Sequence, residues 1–140
     1  MYVLDTNILS ELFKKKRNSL LLNKLGEIKT EYLFTTSISV MELKFGASLR
    51  NDGGELWQRI EKDILSSITI LGFHEREAIL CGKILAGLKN AGTPVGIEDV
   101  MIGSIALAHD FTLVTANIRH FEKIPLLNIE NWLSRTSGGI

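Results

Sequence analysis

Three stretches of this sequence place acids where a ligand could be held. Asp5 follows the apolar run Tyr2-Val3-Leu4 and precedes Thr6-Asn7, where a buried strand ends and a helix begins near Ile8. Asp, Thr and Asn all accept a backbone N–H bond, so position alone does not separate a helix cap from a ligand at Asp5. Glu42 follows Ser37-Ile38-Ser39-Val40-Met41, and Ser39 with Glu42 has the S-x-x-E spacing of a capping box. The same placement puts the Glu42 carboxylate in a first helical turn beyond a second strand. Glu98 and Asp99 open a third helix, running on through Ala106, where acids favour the helix dipole by about 0.3–1 kcal/mol each. Each acid has a structural explanation by itself. Three acid-bearing strand ends or helix starts in succession are what those explanations do not predict.

Carboxylates gathered within a few ångströms raise at least one pKa sharply unless a cation neutralises them. A donor set made only of oxygen selects hard cations, Mg²⁺ or Mn²⁺. Three ionised carboxylates carry three negative charges, which one divalent ion reduces to one and two ions reverse, so phosphate binding requires the metal. No other chemistry competes. His74, His109, His120 and Cys81 lack zinc-type spacing, and neither a glycine-rich phosphate loop nor a nucleophile elbow is present.

The elements that must position these acids follow from apolar periodicity. Strands are predicted at Tyr2–Leu4, Leu33–Thr36, Ile68–Leu71 and Leu113–Thr115, with a shorter one at Leu126–Ile129. Leu56, Trp57, Ile60, Ile64 and Leu65 share one helix face, and Ala78, Cys81, Ile84, Leu85 and Leu88 share another. Asn51 to Gly54 reads as a turn between helices, and Gly92-Thr93-Pro94 ends the Cys81 helix. Strands alternating with helices imply an α/β fold with a parallel sheet covered on both faces. In such sheets ligands bind beyond the carboxyl ends of the strands, where these acids fall.

The 140 residues suit one domain, with 45% hydrophobic and 23% charged residues. Lys and Arg number 16, as do Asp and Glu, so no bulk positive field draws in nucleic acid and any such binding must be local. The basic run Lys14 to Arg17 reads as a solvated helix end. Met1 leads directly into the first strand without a basic n-region, no apolar run is long enough for a membrane span, and a lone cysteine makes no internal disulfide. The expectation is a cytoplasmic protein.

The motifs, taken in order, resemble the PIN domain of VapC-type toxins. They are Leu4-Asp5-Thr6-Asn7, Glu42-Leu43 with Gly46, Pro94-Val95-Gly96 with Asp99, Ile102 and Ala106, and Leu113-Val114-Thr115-Ala116-Asn117 running on to Phe121. Ile124-Pro125-Leu126, followed by Ile129 to Trp132, resembles that family's C-terminal strand and helix. The resemblance implies a three-layer α/β/α fold of four to five parallel strands and a Mg²⁺-dependent ribonuclease, with Mn²⁺ an alternative ion. Asp5, Glu42 and Asp99 would hold the metal, Asp5 and Asp99 directly, and Asp99 matches better than Glu98. The family's fourth acidic position falls at Asn117, whose amide brings no charge, which places a firmly held second metal in doubt. Thr6, Asn7 and Thr115 lie beside these acids, and Arg119 reads as solvated. The same resemblance implies tRNA or ribosomal RNA as substrate, a homodimer and an antitoxin protein partner.

Two other classes remain at this point. A non-catalytic PIN module binding RNA or protein fits Asn117 and a capping role for Glu42. A phosphate-handling α/β domain also uses an Asp after its first strand, but Asp5-Thr6-Asn7 lacks the D-x-D of such phosphatases, and no acidic pair precedes a phosphorylatable Asp.

Overall fold

The computed structural model describes residues 1–135, and 136–140 lie outside the described residues. Strand β1 (Tyr2–Leu4) leads into helix α1 (Thr6–Glu11), followed by α2 (Ser19–Gly26), β2 (Leu33–Thr36), α3 (Ser37–Ser48) and α4 (Gly53–Ile60). Then come β3 (Thr69–Leu71), α5 (Glu75–Asn90), α6 (Ile97–Ala108), β4 (Thr112–Val114), the short α7 (Ile118–Phe121) and β5 (Ile129–Glu130). The five strands are all parallel, in the order β3-β2-β1-β4-β5, with Val3 level with Phe34 on one side and Leu113 on the other.

The two-residue period of a strand sends neighbouring side chains to opposite faces. Val3, Phe34 and Leu113 join an apolar cluster with Cys81, Ile84 and Leu88 of α5 and Ile102 and Ile105 of α6. Leu4, Leu33 and Val114 join another with Ile8 and Leu9 of α1, Leu21 of α2 and Ile60 of α4. Strands buried on both faces therefore read as continuous apolar runs. Helix α3 contributes to both clusters, through Ile38 and Leu43. The expected three-layer α/β/α architecture is present, with the carboxyl ends of β1, β2 and β4 side by side.

Several local expectations need correction. Leu126 has φ +67° and is 89% exposed, a turn conformation that cannot belong to a strand, so the last strand is Ile129–Glu130 rather than Leu126–Ile129. The chain then bends instead of entering a helix: Asn131 Oδ1 accepts from Leu133 N at 2.9 Å, and no helix follows β5 among the described residues. On α5, Ala78 is exposed while Glu77 is buried, its Oε2 accepting from the His74 backbone at 3.3 Å. The stripe from Leu56 to Leu65 spans two elements, because a π-helical turn at Glu61–Leu65 continues α4.

Gly53 lies inside α4 rather than in the predicted turn, and it sets how closely α4 meets α3. A Cβ there would stand 1.8 Å from the Ala47 backbone oxygen, which cannot move aside as a side chain can. Gly53→Ala is expected to cost about 3 kcal/mol, the upper end of overpacking, lowering Tm by roughly 10 °C. Differential scanning calorimetry of the two proteins checks this; an unchanged Tm would mean the helices are not so tightly apposed. Among the described residues no helix is long and apolar enough to cross a membrane.

Candidate active site

Asp5 ends β1 and caps α1, because its backbone is still extended while its side chain already faces the helix. Its N–H donates to Val114 O at 2.9 Å, prolonging the ladder between β1 and β4. Oδ1 accepts from Thr6 N at 2.8 Å, and Oδ2 accepts from Thr115 Oγ1 at 2.7 Å and Asn7 Nδ2 at 3.3 Å. Cap and site positions therefore coincide. Only 3% of Asp5 is exposed. Burial pushes its carboxyl up to about 6; the bonds from Thr115 and Thr6 pull the other way, and the nearby charges of Asp99 and Glu42 add to the rise.

Glu42 does not form the predicted capping box. Helix α3 begins at Ser37 with Thr36 as its cap, whose Oγ1 accepts from Ser39 N at 3.1 Å. Glu42 consequently sits in the second turn, too far along to reach the cap, and its Oε1 accepts from Thr6 Oγ1 at 2.7 Å. Thr6 Oγ1 also lies 2.9 Å from Ser39 Oγ, which lies 3.4 Å from Thr36 Oγ1. Each hydroxyl has one proton. The consistent order is Thr36 donating to Ser39, Ser39 to Thr6 and Thr6 to Glu42, so the row terminates on the carboxylate.

Asp99 stands in the first turn of α6, as predicted. Its Oδ2 lies 2.8 Å from His120 Nδ1 and 3.4 Å from Asn117 Nδ2, and these two nitrogens are themselves 2.8 Å apart. The imidazole Nδ1 cannot serve both neighbours in one protonation state. It donates to Asp99 when protonated and accepts from Asn117 when not. Asn117 is tied to the first strand end as well, because its backbone N donates at 2.9 Å to the Thr115 hydroxyl that holds Asp5.

Asp5, Glu42, Asp99 and Asn117, the four expected site residues, line one cleft of about 520 Å³, together with Thr6, Asn7 and Glu11. The neighbours Glu98 and Arg119 are exposed and do not line it. The carboxylates share the cleft without meeting at a point: among the described residues no three of His, Cys, Asp and Glu are gathered as an ion-holding group. The donor set is nonetheless all oxygen, three carboxylates and an amide, the chemistry that suits a hard divalent ion. A hard divalent ion fits these residues.

Comparison with known proteins identifies the family. The PIN domain family matches residues 2–127. The chain belongs to the PIN-domain family. The tRNA(fMet)-specific endonuclease VapC of Salmonella typhimurium is 33% identical over 131 residues, covering 94% of this chain and 97% of that protein. Toxin FitB of Neisseria gonorrhoeae is 29% identical over 126 residues, covering 86% and 91%. A chain in the crystal structure of VapBC2 from Rickettsia felis, bound to a DNA fragment from its promoter, superposes with a TM-score of 0.82 at 33% identity, covering 94% and 98%.

In this PIN domain, two contributors escaped sequence reading. His120 appears only as a histidine without zinc spacing, although its position three residues after Asn117, at the start of α7, brings both side chains to one point. Ser39 reads as a cap, whereas its side chain joins the hydroxyl row behind Glu42. The Thr6 side chain bonds to Glu42, and those of Asn7 and Thr115 bond to Asp5.

Proposed function

We propose that this chain is a Mg²⁺-dependent endoribonuclease and the toxin of a toxin–antitoxin pair. The observation that carries it is the convergence of Asp5, Glu42, Asp99 and Asn117, from four separate elements, on one cleft, in a chain alike end to end to a VapC endonuclease. Asp5 and Asp99 are assigned as direct metal ligands, with Glu42 as a third acid and Asn117 as a neutral oxygen donor. When bound, the ion supplies Lewis-acid stabilisation of charge on the phosphate and lowers the pKa of water.

The chain's own groups do the rest. Glu42 is gripped through Oε1 by Thr6, which keeps Oε2 for orienting the attacking water and accepting its proton. The water oxygen then bonds to phosphorus, the bond to the departing ribose oxygen breaks, and that oxygen takes a proton from solvent water while Glu42 returns its own to solvent, so that one water is consumed. Asp5 is fixed by Thr6, Thr115 and Asn7 before substrate arrives, so little rearrangement accompanies the reaction.

Removing the Thr6 hydroxyl tests this support directly. Thr6→Val keeps the side-chain shape but frees Glu42 and strands Ser39, and is expected to lower the cleavage rate by roughly 10- to 100-fold. Unchanged single-turnover rates would remove Thr6 from the mechanism.

By analogy with a relative's name, tRNA is the first substrate class to test, and an antitoxin protein, which the resemblance to VapC-type toxins implies, is the expected partner. We place the protein in the cytoplasm, as a homodimer. The deciding experiment is incubation of bulk tRNA and ribosomal RNA with Mg²⁺, with Mn²⁺ and with EDTA, alongside Mn²⁺ calorimetry. Cleavage abolished by EDTA supports the nuclease. Metal binding absent at millimolar ion, with no cleavage, would favour a non-catalytic module.

A further inference from the structure

The three acids of the cleft are held alike. Asp5 Oδ2 accepts from Thr115 Oγ1 and Asn7 Nδ2, while Oδ1 accepts a single bond, from Thr6 N. Glu42 Oε1 accepts from Thr6 Oγ1, and its Oε2 has no partner among the described residues. Asp99 Oδ2 faces the His120 and Asn117 nitrogens at 2.8 and 3.4 Å, and its Oδ1 has no partner among the described residues. An ionised carboxylate has about four lone-pair sites, two on each oxygen. Each acid therefore has one oxygen committed to the protein and capacity left on the other.

At Asp99 the shortest of these contacts comes from a residue that does not line the cleft, His120. Its place is fixed by packing. Gly103 stands four residues after Asp99, on the same face of α6, and a Cβ there would lie 2.6 Å from the Ile124 side chain and 3.6 Å from that of Phe121. The missing side chain lets α7 and the residues after it close onto the face of α6 that carries Asp99. Phe121 and Ile124 are both buried in the core, so His120, next to Phe121, is brought against Asp99 by a rigid contact. A bare Nδ1 would set a lone pair against an ionised carboxylate at 2.8 Å. The arrangement therefore requires the proton on Nδ1, donated to Asp99 Oδ2.

We infer that His120 is a positioning residue whose Nδ1–H holds Asp99 Oδ2, so that Asp99 offers the divalent ion one defined oxygen, Oδ1. The inference rests on the reading of this chain as a metal-dependent nuclease, in taking Asp99 as an ion ligand. Without the ring, the Asp99 carboxyl keeps only the longer Asn117 contact and is free to turn either oxygen to the cleft. Fixing one oxygen beforehand removes that freedom before the ion arrives, and partners that hydrogen-bond a ligating carboxylate typically matter 10- to 100-fold in metal affinity. His120 would thus do for Asp99 what Thr115 does for Asp5 and Thr6 for Glu42.

The test uses the full chain in Mn²⁺ calorimetry, with Mg²⁺-dependent cleavage of bulk tRNA followed in parallel. His120→Ala should weaken Mn²⁺ binding by about 10- to 100-fold with Tm nearly unchanged, because the ring is half exposed. His120→Asn sets an amide nitrogen close to where Nδ1 stands and should restore most of the affinity, whereas His120→Leu, with similar bulk and no donor, should not. Arg119→Ala, exposed on the same short helix and outside the cleft, should bind as wild type. In the metal-free protein, nitrogen NMR shifts of the His120 ring should show the proton on Nδ1. Wild-type Mn²⁺ affinity in His120→Ala overturns the inference, and so does a bare Nδ1. Affinity in His120→Asn no better than in His120→Leu also overturns it, since the hydrogen bond would then not be what prepares the ligand. If the affinities follow the expected order but wild type cuts no RNA, the nuclease reading fails while the role of His120 stands.

Discussion

Asp99→Asn is expected to lower Mg²⁺-dependent RNA cleavage by on the order of 10³-fold while leaving the fold intact. The substitution is isosteric at a half-buried position. The amide still offers an oxygen to the His120 ring nitrogen 2.8 Å away, so the local arrangement survives while the negative charge does not. Glu98→Gln is the matched control. Glu98 shares the first turn of α6 and the same favourable dipole, yet it is exposed and outside the cleft. If charge at the helix start were the whole role of these acids, both variants would lose a few tenths of a kcal/mol of stability and neither would lose activity. Single-turnover cleavage and a thermal melt of both proteins decide the matter. Activity within tenfold of wild type in Asp99→Asn, or an equal loss in Glu98→Gln, would remove Asp99 from the reaction.

The second large effect is on stability and comes from Asp5. Its carboxyl titrates near 6 in the folded chain against 3.8 for the free side chain, chiefly because burial disfavours the anion. The folded state therefore binds the proton more tightly than the unfolded state does. The resulting stability is fully present below pH 3.8 and is lost as pH rises through about 6. The difference of about two pKa units corresponds to roughly 3 kcal/mol. In EDTA, wild type should lose this amount relative to Asp5→Asn between about pH 4 and pH 7, because the amide does not ionise. Subtracting the variant's curve removes the slopes of other carboxylates. The amide can keep the cap bond from Thr6 N but sets an N–H₂ group against the Asn7 donor, a constant offset that does not vary with pH. Divalent metal should return the lost stability above pH 6 and add little at pH 5, where protons compete for the same carboxyl. Urea melts across this range, with and without Mg²⁺, provide the measurement. Parallel curves for wild type and Asp5→Asn would show that Asp5 is not buried as an anion.

Much of this architecture was legible before any coordinates. Apolar and β-branched residues mark the central strands, and the stretches Tyr2–Leu4 and Leu33–Thr36 coincide with β1 and β2 residue for residue. Helix α6 opens on Glu98 and Asp99 as its composition requires. The errors are equally physical. The S-x-x-E spacing at Ser39 pointed to a cap three residues too late, because Thr36, still in the strand, competes for the same role and wins. Leu126 looked like a strand residue because it is apolar, although Pro125 just before it is a turn residue that commonly precedes a left-handed position.

By itself, the sequence determined the fold class, the central strands and the identity of the acids, because apolar periodicity and residue type are local properties. Only the tertiary structure decided which acids share a cleft. Asp5 and Thr115 are 110 positions apart, and Asp5 meets Thr115 only because β1 pairs with β4. Thr6 and Glu42 meet only because β1 also pairs with β2. Neither pairing is written in the spacing of the residues it brings together. The bond of His120 to Asp99 belongs to the same class, since it depends on where separate helices are laid against the sheet.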